Sequence, residues 1–164
     1  MDTAIRLVAD YALYAVGLAA VVAWLRASRA EKAPFAVAGV VAAALVAVGV
    51  KLAGVMWTDP RPFVVDHAAP LIAHSADNGF PSDHTALATA VAAVVLLWHR
   101  RTGAALLAVA VLLGSARMAA HVHHWPDVLA GFAIGLVCAA LGSLVVRWAV
   151  PRFSRTKAAQ RRTV

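Results

Sequence analysis

Residues 35–57 read FAVAGVVAAALVAVGVKLAGVMW, an apolar stretch whose single charge is Lys51. Its length matches the about 20 residues that a helix needs to cross the hydrocarbon core of a bilayer. Similar runs lie on either side, at 4–25, 84–98, 104–120 and 128–150, the third and fourth of the five in chain order being the short ones. They make five spanning helices, or six if one run splits or re-enters. Composition agrees, since 62% of the 164 residues are hydrophobic and the mean hydropathy is +0.77, far too apolar for an ordinary soluble domain. Backbone facing lipid has to satisfy its own hydrogen bonds, which excludes an open sheet. The expected fold is all-α, an integral membrane helical bundle forming one domain over 1–164.

The formal net charge of +7 would suggest a nucleic-acid partner if it formed a patch on a soluble domain. Its positions exclude that reading. Arg26, Arg29 and Lys32 fall between the first two runs, and Arg100 and Arg101 between the third and fourth. Arg147, Arg152, Arg155, Lys157, Arg161 and Arg162 follow at the C-terminal end. With five helices these three places share one side, which the positive-inside rule makes cytoplasmic. The N-terminus is then outside and the C-terminus inside, and the basic tail 151–164 is a topology anchor at the headgroups. Of the remaining basic residues, Arg6, Lys51, Arg61 and Arg117, the last three belong to the polar constellation described next. Cys138 has no partner in the chain, so no disulfide framework is expected. Asp2 and Asp10 replace a basic n-region and no small-residue cleavage site follows, so the first run is expected to be a retained helix.

Polar residues kept in an apolar chain are functional candidates. Pro81-Ser82-Asp83-His84 precedes the third apolar run. Free backbone N–H groups and the positive end of the helix dipole make such a start an anion site, while Ser82 or Asp83 as a plain N-cap is the simpler reading. Downstream, Arg117 is followed by His121, His123, His124 and Asp127. An aspartate near a histidine fixes its tautomer and prepares it as base or nucleophile. The same histidines with Asp127 are also a metal-ligand pattern. That alternative is set aside because no cysteine or glutamate joins them and the neighbouring arginines repel a cation. Arginine instead offers a fork matching phosphate oxygens, with Lys51 as an added point charge. The connection 58–81 is long enough to be functional or disordered. Its Asp59, Asp66, His67, His74 and Asp77 are expected to be solvated loop residues, and His121 to be structural or interfacial.

Together the three segments resemble the type 2 phosphatidic-acid phosphatase superfamily, the lipid phosphate phosphatases, related to the vanadium haloperoxidases. That family is marked by Lys-x6-Arg-Pro, Pro-Ser-Gly-His and Ser-Arg-x5-His-x3-Asp. Arg61-Pro62, then Pro81, Ser82 and His84, then Arg117, His123 and Asp127 match in order and separation, as does the trailing Val128-Leu129-Ala130-Gly131. The resemblance spans the motif region 51–131. Lys51 stands ten residues before Arg61 instead of seven, and Ala116 separates Ser115 from Arg117, so Arg117 is carried over and Ser115 is not. Asp83 in place of glycine is similar to undecaprenyl-diphosphate phosphatases of the bacitracin-resistance type. So are Arg61-Pro62-Phe63 and the run from Leu71-Ile72-Ala73-His74 to Phe80.

The resemblance implies a metal-independent lipid (pyro)phosphate phosphohydrolase that needs no cofactor. Its substrate would be undecaprenyl or another polyprenyl diphosphate, recycled at the outer face for cell-wall synthesis. It implies that His123 attacks the terminal phosphorus with Asp127 on its other ring nitrogen, giving a phosphohistidine. His84 would protonate the leaving oxygen and then activate water. Lys51, Arg61, Ser82, Arg117 and backbone N–H near Asp83 would bind the phosphoryl oxygens. His124 is the alternative nucleophile. Phosphatidylglycerophosphate, phosphatidic acid and other polyprenyl-phosphate lipids are alternative substrates, and a small anion or lipid transporter is the alternative of a different class. Oligomeric state is not legible.

Overall fold

The computed structural model describes residues 1–149; the expected anchoring role of 151–164 and the end of the last run at residue 150 lie outside the described residues. Helix α4 (Asp83–Trp98) is the axis of the bundle, packed against α1 (Asp2–Arg26), α2 (Arg29–Met56), α5 (Arg100–Ala119) and α6 (Trp125–Ala149). A single turn, α3 (Pro62–Val65), lies in the long connection. Among the described residues no strand forms, and α1, α2, α5 and α6 are each long and apolar enough to span a membrane. The expected five-helix membrane bundle is therefore present, with α4 as its short member.

At 16 residues, α4 rises about 24 Å against a hydrocarbon core of about 30 Å. It can be short because the other helices enclose it. Ala86, Ala88, Thr89, Ala90, Ala92, Val94 and Val95 are all buried, on every side of the helix. Small side chains here let backbones approach, which is how helices associate in lipid where apolar burial gives little drive. A Cβ on Gly131 would lie 2.6 Å from the Ser82 carbonyl oxygen, and one on Gly135 2.5 Å from that of Ala86. Only glycine permits this contact, and it draws the start of α6 onto the start of α4. The outward faces carry Leu18, Val21, Val40, Leu52, Leu112 and Leu141, exposed to lipid.

Two helix starts differ from expectation for local reasons. α2 begins at Arg29, not at 35, because Ser28 and Glu31 form a capping box. The Ser28 N–H and hydroxyl donate to Glu31 Oε2 at 3.1 and 2.7 Å, and Pro34 is absorbed inside the helix. α5 begins at Arg100, not at 104, with His99 alone separating it from α4.

The connection between α2 and α4 also departs from expectation. Asp59 and His74, expected as solvated loop residues, are half-buried and bonded to His124 and Arg117, whereas Asp66, His67 and Asp77 stay exposed as expected, with Asp66 and Asp77 paired to His121 and Arg61. Asn78 is the fastening point. Its Oδ1 accepts from the N–H of Asp59 and Phe80 at 2.9 and 3.0 Å, and its Nδ2 donates to the carbonyls of Gly54 and Trp57 at 2.9 and 3.0 Å. Farther along, Leu71 N–H donates to the Ala120 carbonyl at 3.0 Å. Ile72 is buried with Ala9, Ala116, Ala120 and Val122. Asp66 meets His121 at 2.6 Å. The connection is thus strapped across the ends of α5 and α6.

Candidate active site

Arg61 caps α3, with Pro62 at the first helical position. Burial of a guanidinium demands partners, and it has them. Nε donates to Asp77 Oδ1 at 2.8 Å, Nη1 to the Val122 carbonyl at 2.8 Å and Nη2 to the Asn78 carbonyl at 3.4 Å. These bonds hold Nη1 3.4 Å from His123 Nε2. His123 occupies the turn between α5 and α6, and its Nδ1 lies 3.4 Å from Asp127 Oδ2, both side chains being buried. Asp127 stands in the first turn of α6, where its Oδ2 also accepts the His124 N–H at 2.8 Å, a favourable place for a carboxylate. A Cβ on Gly79 would meet that oxygen at 3.3 Å and the Asp59 carbonyl oxygen at 3.0 Å, so the connection crosses here in close contact and a side chain would push its neighbours apart.

Burial depresses the His123 pKa; Asp127 opposes the shift, and Arg117 and Arg61 add to it. The imidazole is therefore neutral at physiological pH. Nδ1 faces the carboxylate at 3.4 Å without a formed hydrogen bond, and Nε2 faces Arg61; a proton on Nδ1 would leave the Nε2 lone pair available, the arrangement a nitrogen nucleophile requires.

Arg117 closes α5 and is buried. No carboxylate of the described residues lies within ion-pair distance of it, and its Nε has no hydrogen-bond partner among them. Its Nη2 meets His74 Nε2 at 2.8 Å. Asp83 and Asp10 act on it only at longer range, and a buried guanidinium with no direct ion pair is suited to receive an anion. Ser115, not carried over, is exposed on the same helix. Ser82 is wholly buried at the N-cap of α4. Its N–H donates to the Asp127 carbonyl at 3.0 Å, and its hydroxyl lies 3.0 Å from Thr85 Oγ1.

Asp83 and His84 form a second pair, in which Asp83 Oδ1 lies 2.7 Å from the His84 N–H and 2.8 Å from Nδ1. This leaves His84 Nε2 as the free ring nitrogen. Asp83, His84 and Lys51 line one cavity of about 300 Å³ with Leu13, Val46 and Leu87. Among the described residues no hydrogen bond or ion pair ties Lys51 to Arg61 or Arg117. It lines the cavity beside His84 instead.

The four-residue metal pattern is not assembled, because His121 is engaged with Asp66. A different trio, Asp59, His124 and Asp127, brings ligand atoms within 4.8 Å of one another. Its members bond to each other, His124 Nδ1 to Asp59 Oδ2 at 3.1 Å, and they have the reach to hold a cation. The pairing of His124 with Asp59 also separates it from the Asp127–His123–Arg61 line.

Sequence reading missed the place of His74. The signal for it was the apolar Leu71-Ile72 pair inside a polar connection, which buries against α5 and carries His74 to Arg117.

The chain is similar to known proteins. The family model described as the PAP2 superfamily matches residues 34–151. The bacitracin transport permease protein BcrC of Bacillus licheniformis is 30% identical over 155 residues, covering 94% of this chain and 74% of that protein. The undecaprenyl-diphosphatase BcrC of Bacillus subtilis is 30% identical over 138 residues, covering 84% and 70%. The crystal structure of Aquifex aeolicus LpxE superposes with a TM-score of 0.65 at 27% identity, covering 84% of this chain and 79% of that one. With the family match spanning well over half of its length, the chain is a multi-pass membrane protein that belongs to the PAP2 superfamily.

Proposed function

We infer that the protein is a lipid phosphatase that removes the terminal phosphate of a polyprenyl diphosphate, foremost undecaprenyl diphosphate, through a phosphohistidine. The observation that carries this reading is the buried, neutral His123 held between Asp127 and Arg61. His123 Nε2 attacks the terminal phosphorus, and the bond from phosphorus to the bridging oxygen breaks. His84 Nε2 gives its proton to that oxygen, releasing polyprenyl phosphate, then takes a proton from the water that attacks phosphohistidine, releasing inorganic phosphate. Asp83 holds the other His84 nitrogen and carries the counter-charge while both are protonated. Arg61, Arg117, Ser82 and the first N–H groups of α4 stabilise charge on the phosphoryl oxygens. Lys51, lining the cavity beside His84, meets the remainder of the headgroup. The arginines take the part that magnesium plays in other phosphoryl-transfer enzymes, so the mechanism uses no metal.

The choice of substrate is supported by the Bacillus subtilis relative, an undecaprenyl-diphosphatase by name, and by Asp83. The distribution of Lys and Arg supports an extracytoplasmic site and a cytoplasmic C-terminus. The test is phosphate release by the detergent-purified chain, with EDTA present, from polyprenyl diphosphate, phosphatidylglycerophosphate and phosphatidic acid, alongside His123→Ala. Preference for the diphosphate with at least a thousandfold loss in the variant, on the order expected for removing a nucleophile, supports the reading. Release unaffected by His123→Ala overturns the phosphohistidine. No release from any lipid returns the anion or lipid transporter.

A further inference from the structure

His74 is the one histidine of the long connection that reaches the arginines. Its Nε2 lies 2.8 Å from Arg117 Nη2, its Nδ1 3.4 Å from the Ser75 carbonyl, and its ring stands edge-on to that of His123 with centroids 6.2 Å apart. Arginine is always a donor, so His74 Nε2 is the acceptor, and the ring proton is on Nδ1 toward Ser75. The charged and titratable groups that act on it are Arg117 from α5, Arg61 from the start of α3 and His123 from the turn before α6. All but His123 are cations, and burial adds to their effect in holding His74 neutral. His74 thus occupies the donor of Arg117 that would otherwise face an anion.

We propose that His74 is a phosphate-binding residue of this site: it takes the Arg117 N–H as a neutral acceptor and becomes a protonated donor to the phosphoryl group when phosphate displaces it. A phosphate oxygen is the stronger acceptor for a guanidinium, so it takes the Arg117 N–H. The released Nε2 lone pair would then face an anion, a repulsive contact relieved when that nitrogen takes a proton from solvent. Binding therefore carries one proton into the site, and the imidazolium bridges the connection to the substrate. This rests on the phosphatase reading for its substrate, while the binding step stands on the geometry of His74 and Arg117.

Kinetics and binding separate the two. On polyprenyl diphosphate, His74→Ala should raise KM about tenfold or more, the worth of a charge-assisted hydrogen bond, with kcat changed less than about threefold. His74→Gln, which can still donate, should recover part of the loss. Calorimetry of inorganic phosphate binding to the full chain, in two buffers of different ionisation enthalpy, should show about one proton taken up by the wild type and none by His74→Ala. An unchanged KM, or a fall in kcat alone with a lowered melting temperature, overturns the proposal in favour of a purely structural histidine. If the wild type releases no phosphate from any lipid, the phosphatase reading fails. Proton-linked phosphate binding then still decides the role of His74.

Discussion

Asp127→Asn isolates charge from shape. Asp127 Oδ2 faces both the His124 N–H at 2.8 Å and His123 Nδ1 at 3.4 Å, and the side chain is fully buried. An asparagine with its carbonyl in that position keeps both contacts and the shape, and its amide takes the place of Oδ1, which has no partner among the described residues. The negative charge is lost, and an unpaired amide donor is buried, a cost to stability that the melting temperature reads. In the proposed mechanism, positive charge grows on the His123 ring as it attacks, 3.4 Å from that oxygen. At an effective dielectric of about 20, a full unit charge at this distance interacts by about 5 kcal/mol. Half of it, for a half-developed charge, is about 2.5 kcal/mol. The rate of phosphorylation should therefore fall between about a hundredfold and a few thousandfold. The assay is single-turnover phosphate release from polyprenyl diphosphate, with thermal melting of both proteins in the same detergent. A loss below about threefold with unchanged melting would refute the reasoning, because the carboxylate would then be no more than a cap for α6. A large drop in melting temperature would place the effect in folding.

Three further outcomes follow from the same geometry. Asp83→Ala frees His84 Nδ1 and should slow the single-turnover release of polyprenyl phosphate from the diphosphate about tenfold, yet leave the first-turnover burst of p-nitrophenol from p-nitrophenyl phosphate nearly unaffected, since that leaving group departs without a proton; equal losses in both first-turnover steps would remove Asp83 and His84 from leaving-group chemistry. Burial, Arg117 and Arg61 hold the His123 pKa below the usual histidine value, so the ring stays neutral as pH falls through about 6.5 and gains its proton only at lower pH. The imidazole NMR signal absent from His123→Ala should titrate accordingly, and a midpoint above that value contradicts the electrostatics described. Gly135→Val would drive carbon into the Ala86 carbonyl, where even a Cβ lies at 2.5 Å. About 3 kcal/mol of overpacking should lower the melting temperature by about 10 °C, and an unchanged melt would show that α4 and α6 are less closely joined than drawn here.

The spanning runs were legible because lipid imposes one solution on an apolar segment, and the motifs because Arg61, Arg117, His123 and Asp127 are costly in such a chain. Segment ends were less legible. The start of α2 depends on a capping box between Ser28 and Glu31, which outweighs the stop signal of Pro34. The hidden part was the connection. No periodicity foretells that one side chain, Asn78, will join four backbone groups, or that Leu71 and Ile72 will dock on α5 and bring His74 across 43 residues to Arg117. The reach of Lys51 was also outside a motif, since a three-residue offset keeps a side chain on the same face of a helix but sets it about 4.5 Å farther along the axis.

The brevity of α4 has a consequence for where the chemistry happens. Its far end leads through His99 to Arg100 and Arg101; with those two charges at the headgroups, the missing length of about 6 Å would fall at the Ser82 end. The floor of the site would then lie below the headgroup plane by that amount. On the proposed reaction, a lipid headgroup would reach it by settling inward, without its chain leaving the bilayer, and water would have to follow it down. Membrane thickness would thereby become a physical control on that reaction, a thicker leaflet deepening the well and a thinner one opening it.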